Sequence, residues 1–165
     1  LAPPAEILEY GTGWGHTSRF LSNCGFNVTA LDIDENFLHL IPKFAQPGAN
    51  EIHLACSSFV DTHFEERSFN AAIFFECFHH CLEHKKLISQ LRKILKPGGK
   101  VIFCGEPFYD NWFDYPWGIR LDGHEVWEIN NFGWMELGFK KEYINSLLHR
   151  NGFSTEWSTV EGVGA

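Results

Sequence analysis

Short apolar runs alternate with amphipathic stretches along most of the chain. Ala5 to Tyr10 is apolar enough to be a strand buried on both faces of a parallel sheet. Trp14 to Gly25 follows as a helix, with Phe20, Leu21 and Cys24 on one face and a glycine suited to its end. Phe26 to Leu31 is a second strand that stops at Asp32-Ile33-Asp34. Phe37, Leu38, Leu40 and Ile41 make a short helix face that Pro42 ends or kinks. Glu51 to Cys56 reads as a third strand, and Ser68 to Phe75 as a fourth with its lead-in. From Glu83 to Leu95, five aliphatic residues (Leu87, Ile88, Leu91, Ile94, Leu95) recur at helical spacing. A Leu95-Lys96-Pro97-Gly98-Gly99-Lys100 turn then feeds a fifth strand, Val101 to Gly105. Lys140 to Asn151 is a further amphipathic helix, and Phe153 to Val160 a sixth strand. This alternation predicts an α/β fold with a doubly wound, mostly parallel sheet of about six strands. The whole chain, 1–165, reads as one domain.

The alternation breaks after the fifth strand, at about 106–138. Phe108, Tyr109, Trp112, Phe113, Tyr115, Trp117, Trp127, Phe132 and Trp134 stand there among Gly and Pro. A long insertion without an evident element is usually functional, often a lid. It also follows a strand whose C-terminal end faces the ligand crevice of such sheets. An aromatic cap over a substrate and a small subdomain with its own core both fit.

The first chemistry-bearing stretch is Glu9-Tyr10-Gly11-Thr12-Gly13-Trp14-Gly15. Strand, glycine loop and helix in this order bring backbone N–H groups and a positive helix end toward an anionic or polar ligand. The dinucleotide fingerprint G-x-G-x-x-G fails, because His16 occupies its last position. Asp32 lies about 20 residues beyond the loop, where a carboxylate accepts hydrogen bonds from both hydroxyls of a ribose. Asp32 or Asp34 could instead cap the helix near Glu35. The expected division is Asp32 on the ribose and Asp34 as the cap.

The acid-x-Gly-x-Gly-x-Gly loop, Asp32, Ser68-Phe69-Asn70-Ala71-Ala72 and Leu95-Lys96-Pro97-Gly98-Gly99 occur in the order seen in the class I S-adenosylmethionine-dependent methyltransferases. The chain resembles that superfamily over about two thirds of its length, in the type that acts on small molecules. The resemblance implies a Rossmann-like fold, S-adenosylmethionine as cofactor and S-adenosylhomocysteine as product. It also implies cofactor contacts from Glu9, Gly11, Thr12, Gly13, Asp32, Ile33, Ser58, Phe59, Phe75 and Glu76, with Ile33 on the adenine face. Two positions depart from the family pattern: Ser58, where an acid often binds the adenine amino group, and Asn70, where Asp is usual. A backbone N–H at Phe59 could serve the adenine instead. The family's seventh, antiparallel strand has no counterpart, which suggests pairing of a sheet edge, or of the insertion, in a homodimer.

Methyl transfer needs donor and acceptor held in line with water excluded; the cofactor supplies the reactivity. An oxygen acceptor often needs a base. Candidates lie at the ends of the fourth and fifth strands: Glu76, His79, His80 and Glu106. Those expected to be catalytic are His80, an imidazole that titrates near neutrality, and Glu106, expected to project from the fifth strand into the crevice. Glu76 is the other acid in reach, for the cofactor's amino group. Cys77, His80, Cys81 and His84 have the spacing of one helical face, but four ligands on one straight helix cannot surround an ion tetrahedrally. No metal is therefore expected.

The formal net charge of −8 argues against a nucleic-acid backbone as partner. No apolar run approaches the roughly 20 residues that cross a bilayer. The five scattered cysteines read as reduced thiols of a cytoplasmic protein. Leu1 is not an initiator methionine, which leaves room for a longer protein. Methyl transfer to a small molecule, oxygen slightly favoured as acceptor, is the expected activity. The alternative is an inactive methyltransferase-fold interaction module. A nicotinamide-dependent reductase is disfavoured by the glycine spacing and the lack of a Tyr-x-x-x-Lys pair.

Overall fold

The computed structural model describes residues 1–44, 46–111 and 114–158. Its main sheet holds five parallel strands: β1 (Glu6–Tyr10), β2 (Asn27–Asp32), β3 (Ile52–Cys56), β4 (Phe69–Phe75) and β5 (Leu95–Cys104). Their order is β3-β2-β1-β4-β5. The chain winds one way from β1 to β3 and the other way from β4 to β5. The reversal lies between β1 and β4, and a crevice opens beyond the carboxyl ends of strands at such a point. Helices α1 (His16–Asn23), α2 (Glu35–Leu38) and α3 (His84–Ile94) connect these strands.

Aromatic rings join neighbouring strands across one face. Tyr10 stacks on Phe74 at 4.6 Å between ring centres, and Phe74 on Phe103 at 5.3 Å. Phe78 then packs edge-on against Phe74 and Phe103 and meets Phe108 and Phe139. Asn70 shows what its departure from Asp leaves intact. Its side-chain oxygen accepts from the Glu6 backbone N–H and from Lys96 Nζ, each at 2.9 Å, tying β1 to the start of β5, where the residues expected as a turn before the strand form a register shift within it.

The stretch expected as an insertion without elements contains a second sheet and a helix. The sheet has β6 (Phe108–Tyr109), β7 (Trp117–Ile119) and β8 (Leu137–Lys140) in the order β6-β8-β7, with α4 (Gly123–Phe132) before β8. β8 runs parallel to β6 and antiparallel to β7. Strands this short carry too few residues for their period to be read. The aromatic residues divide into two sets. Phe108 and Trp117 pack, with Phe139 of β8, against the main core. Trp127, Phe132 and Trp134 stay about half exposed; Phe132 stacks on Trp134 and meets Trp127 edge-on. Trp112 and Phe113 lie outside the described residues.

The sixth strand expected from Phe153 to Val160 does not form over residues 153–158; Thr159 and Val160 lie outside the described residues. Helix α5 (Lys141–Arg150) ends where Phe153 donates its N–H to Leu148 O. The segment then returns along α5, held by side chains rather than a ladder. Trp157 Nε1 donates to Asn145 Oδ1 at 3.0 Å, and its ring meets Phe108 edge-on.

Candidate active site

All three loop glycines have a left-handed backbone, with φ of +59° at Gly11, +48° at Gly13 and +69° at Gly15. Their surroundings differ. A Cβ at Gly11 would come 2.7 Å from Cys77 Cβ, and one at Gly15 2.6 Å from Ile41 Cγ1, whereas one at Gly13 would meet nothing within 4 Å. Gly11 and Gly15 let the loop pack; Gly13 faces open space. α1 starts behind Gly15, which has no side chain to cap it, and the Ser18 N–H of its first turn bonds to the Glu9 carboxylate beneath the loop.

Asp32, only 7% exposed, ties this loop to the end of β2. Its Oδ2 accepts from Gly13 N at 2.8 Å and its Oδ1 from Asp34 N at 2.9 Å. Each carboxylate oxygen keeps a second acceptor site, so a diol can still be bound. Asp34 is the cap of α2, accepting from Asn36 N at 2.8 Å. Glu9 is placed differently from a ligand contact. It is 2% exposed and accepts from the Thr12 and Ser18 hydroxyls, so it fixes the loop from beneath. Burial pushes its carboxyl above the ordinary range, against those hydrogen bonds. Thr12 is likewise buried beside it.

The remaining nominated contacts also stand at strand ends. Ile33 is 73% and Phe75 51% exposed, unusual for large apolar side chains next to a buried sheet. Phe59 lies against Gly11 and edge-on to Tyr10. The Ser58 hydroxyl donates to Asp61 Oδ2 at 2.6 Å, so a carboxylate does stand beside the position where one was missed.

Beyond β4 the chain makes a tight turn instead of the helical face considered for a metal. Glu76 has φ of +49°, and a 3-10 turn spans Phe78–His80. Cys77 faces Tyr10 O at 3.0 Å, and His84 meets the Tyr143 hydroxyl at 2.7 Å. Those four residues therefore do not converge. Burial raises the Cys77 thiol well above the ordinary range, and a neutral donor suits its place beneath the loop.

Glu106 was expected to reach into the crevice; it turns inward. Its carboxylate accepts from the backbone N–H groups of Cys77 and Phe78 at 2.8 Å, from that of His79 at 3.1 Å, and from His79 Nδ1 at 2.8 Å. With its side chain 1% exposed, it holds the turn and orients His79. The half-buried His80 keeps a free acceptor. Its Nδ1 donates to Met135 O at 2.8 Å, which leaves the lone pair on Nε2. Burial first, and the His79 ring beside it second, lower its pKa below the ordinary imidazole value.

Three charged residues that sequence reasoning passed over complete this corner. Arg120 Nη1 contacts Glu125 Oε1 at 2.7 Å, and Nη2 contacts Glu136 Oε2 at 2.5 Å. Glu136 also stands 3.4 Å from His79 Nε2 and from His80 Nδ1. A cavity of about 360 Å³ opens here, walled by Glu76, His80, Arg120, Trp134 and Glu136 among others. Met135, Leu137 and Phe139 alternate as a strand should, and that period was the one available sign that Glu136 faces the other way.

A doubly wound parallel sheet with this loop defines a Rossmann-like nucleoside-binding domain. Residues 8–103 match the profile of the family described as "Methyltransferase domain". The chain belongs to that family, within the class I S-adenosylmethionine-dependent methyltransferases. It is 28% identical over 106 residues to a demethylmenaquinone methyltransferase of Clavibacter sepedonicus, covering 63% of this chain and 43% of that protein. It is 28% identical over 102 residues to phosphoethanolamine N-methyltransferase 2 of Caenorhabditis elegans, covering 61% of this chain and 23% of that one. The chain thus spans less than half of these curated relatives. In fold it is similar to an S-adenosylmethionine-dependent methyltransferase from Mesorhizobium loti, with a TM-score of 0.76 at 20% identity, over 93% of this chain and 76% of that one. No helix among the described residues is long and apolar enough to cross a membrane.

Proposed function

We propose that this chain binds S-adenosylmethionine and transfers its methyl group to a small-molecule acceptor, releasing S-adenosylhomocysteine. The observation that carries the reading is the open Gly13 turn hydrogen-bonded to Asp32, beside an uncapped α1. Asp32 takes the ribose hydroxyls, and the exposed Ile33 covers the adenine. Gly11 and Gly13 bring backbone to the cofactor's polar end, with Glu76 near its amino group and Phe75 and Phe59 walling the space between. Glu9 and Thr12 position the loop. Near-attack placement against an acceptor in the His80 cavity then supplies most of the rate.

An oxygen acceptor is the finer reading. Its support is the His80 Nε2 lone pair, on a ring whose pKa burial lowers and which is therefore a neutral base at pH 7. The wider protein is read as cytoplasmic, and pairing through an exposed edge strand, β3 or β5, is the proposed route to a homodimer.

Calorimetric titration with S-adenosylhomocysteine tests the reading, with NADH as control. Micromolar binding that Asp32→Ala abolishes is expected. Binding of NADH alone would sink it. Cofactor binding without turnover on any hydroxylated, phenolic or amine acceptor would favour an interaction module instead.

A further inference from the structure

The geometry points to a divalent metal site in the buried wall of the acceptor cavity, ligated by His79, His80 and Glu136. One ligand atom from each of the three lies within 4.8 Å of the others. His79 Nδ1 donates to Glu106, so its Nε2 turns a lone pair toward Glu136 Oε2 at 3.4 Å. Two acceptors thus face each other across a gap that a cation, either a ring proton or a metal ion, would fill. His80 is placed differently: its Nδ1 donates to Met135 O and is also the nitrogen 3.4 Å from Glu136 Oε1, so the ring has to pivot to bring the Nε2 lone pair onto the ion. A ligating imidazole normally has its other nitrogen fixed by a carboxylate or a backbone carbonyl, and here one ring has each.

A second observation is independent of the imidazoles. Glu136 is 1% exposed, and its Oε1 has no hydrogen-bond partner. Arg120 occupies only the other oxygen. Glu125 Oε2, across the same guanidinium, is also buried and unpaired. An orphaned carboxylate oxygen inside a protein is destabilising unless something pairs with it. The cavity wall carries Glu76, Glu125, Glu128 and Glu136 against Arg120, so its field attracts a cation.

Two imidazoles and one carboxylate suit a borderline first-row ion of the zinc, cobalt, manganese or iron class, and leave positions open. Calcium and magnesium favour all-oxygen sites. The site deepens the methyl-transfer reading and rests on it only for its purpose, which is to hold an acceptor oxygen. With an ion bound, the ion would lower that oxygen's pKa, and a ligating His80 would no longer serve as the base. The metal-free expectation weighed Cys77, His80, Cys81 and His84, which the fold does not bring together, and took no account of His79 or Glu136.

The test is titration of the chelator-stripped chain with Co²⁺ alone, followed by visible d–d absorption and calorimetry. One Co²⁺ per chain, displaced by Zn²⁺ and raising the melting temperature, is the expected result. His80→Ala alters a half-buried ring and should keep the fold by its melting curve. It should weaken Co²⁺ binding by about tenfold or more. No saturable d–d band in the wild type, or unchanged Co²⁺ affinity in folded His80→Ala, would overturn the site. Neither donor nor acceptor is present in this titration. Its failure would leave methyl transfer standing with His80 as base, and failure of S-adenosylhomocysteine binding would leave the cobalt result standing.

Discussion

The glycine loop and the histidine cavity sit on either side of one backbone turn and are built in opposite ways. The loop is a backbone construction. Its contacts are N–H groups, three left-handed glycines and an aspartate that accepts from two amides. The cavity is a side-chain construction, in which Glu106, His79, Glu136, Arg120 and Glu125 touch in sequence. Cys77 joins the two: its side chain packs on Gly11 and Tyr10 O, and its N–H reaches Glu106. A backbone construction tolerates changes of charge but not of volume. A side-chain network behaves the other way round.

Arg120 tests this hardest. Arg120→Met keeps much of the volume but strands Glu125 and Glu136, whose side chains are 11% and 1% exposed. Removing one partner of a buried ion pair costs about 3–5 kcal/mol. For a domain of this size the melting temperature should fall by about 10 °C. The double variant Arg120→Met/Glu136→Gln should recover part of that loss. If the single variant melts within a degree or two of wild type, the cavity is not held together by its charges.

The loop should respond to volume. Gly11→Ala puts a methyl group 2.7 Å from Cys77 Cβ at positive φ, which adds overpacking to left-handed strain, about 3 kcal/mol in all. Gly13→Ala meets open space and should cost only about 1 kcal/mol of backbone strain. Its added carbon nevertheless points where a ligand backbone contact is needed, so S-adenosylhomocysteine binding should weaken even though melting barely shifts. Equal losses of stability at both positions would erase the distinction between a packed and an open glycine.

The same contrast decides what could be read in advance. Glycines at fixed spacing announce a backbone conformation, because few other residues adopt it; the loop and Asp32 were legible for that reason. The five strands were legible because buried parallel strands are nearly continuous apolar runs. The cavity was hidden because its partners lie far apart in sequence. Glu106, Arg120, Glu125 and Glu136 are acids and a base of ordinary appearance until β8 folds back beside the turn at His79. The small sheet escaped notice because β6 and β7 are two and three residues long. The sixth strand was over-read because Phe153 and Trp157 supply apolar spacing while acting as anchors for α5 and β6.

The two regions should also differ in the sign of their response to pH, the smallest of the expected effects. His80 has a folded pKa below its ordinary value of 6.5, through burial and the neighbouring His79; Glu106 and Glu136 face it and oppose the shift. As pH falls below about 6.5 the unfolded chain takes up a proton that the folded ring declines. The unfolded state then binds more protons, and stability falls with falling pH down to the folded value. Glu9 has a folded pKa above its ordinary 4.5, again through burial. Above 4.5 the unfolded chain releases a proton that the folded carboxyl retains, so stability falls as pH rises toward the folded value. Melting temperatures from pH 4 to 8 for wild type, His80→Asn and Glu9→Gln separate the two. Asn keeps a donor for Met135 O, and Gln keeps an acceptor for Thr12 and Ser18. His80→Asn should flatten the loss on the acid side only in part, because burial lowers the His84 pKa as well. Glu9→Gln should remove a loss that grows above pH 4.5. If both substitutions flatten the same limb, the two regions titrate as one network through Cys77, and the division between backbone loop and side-chain cavity fails.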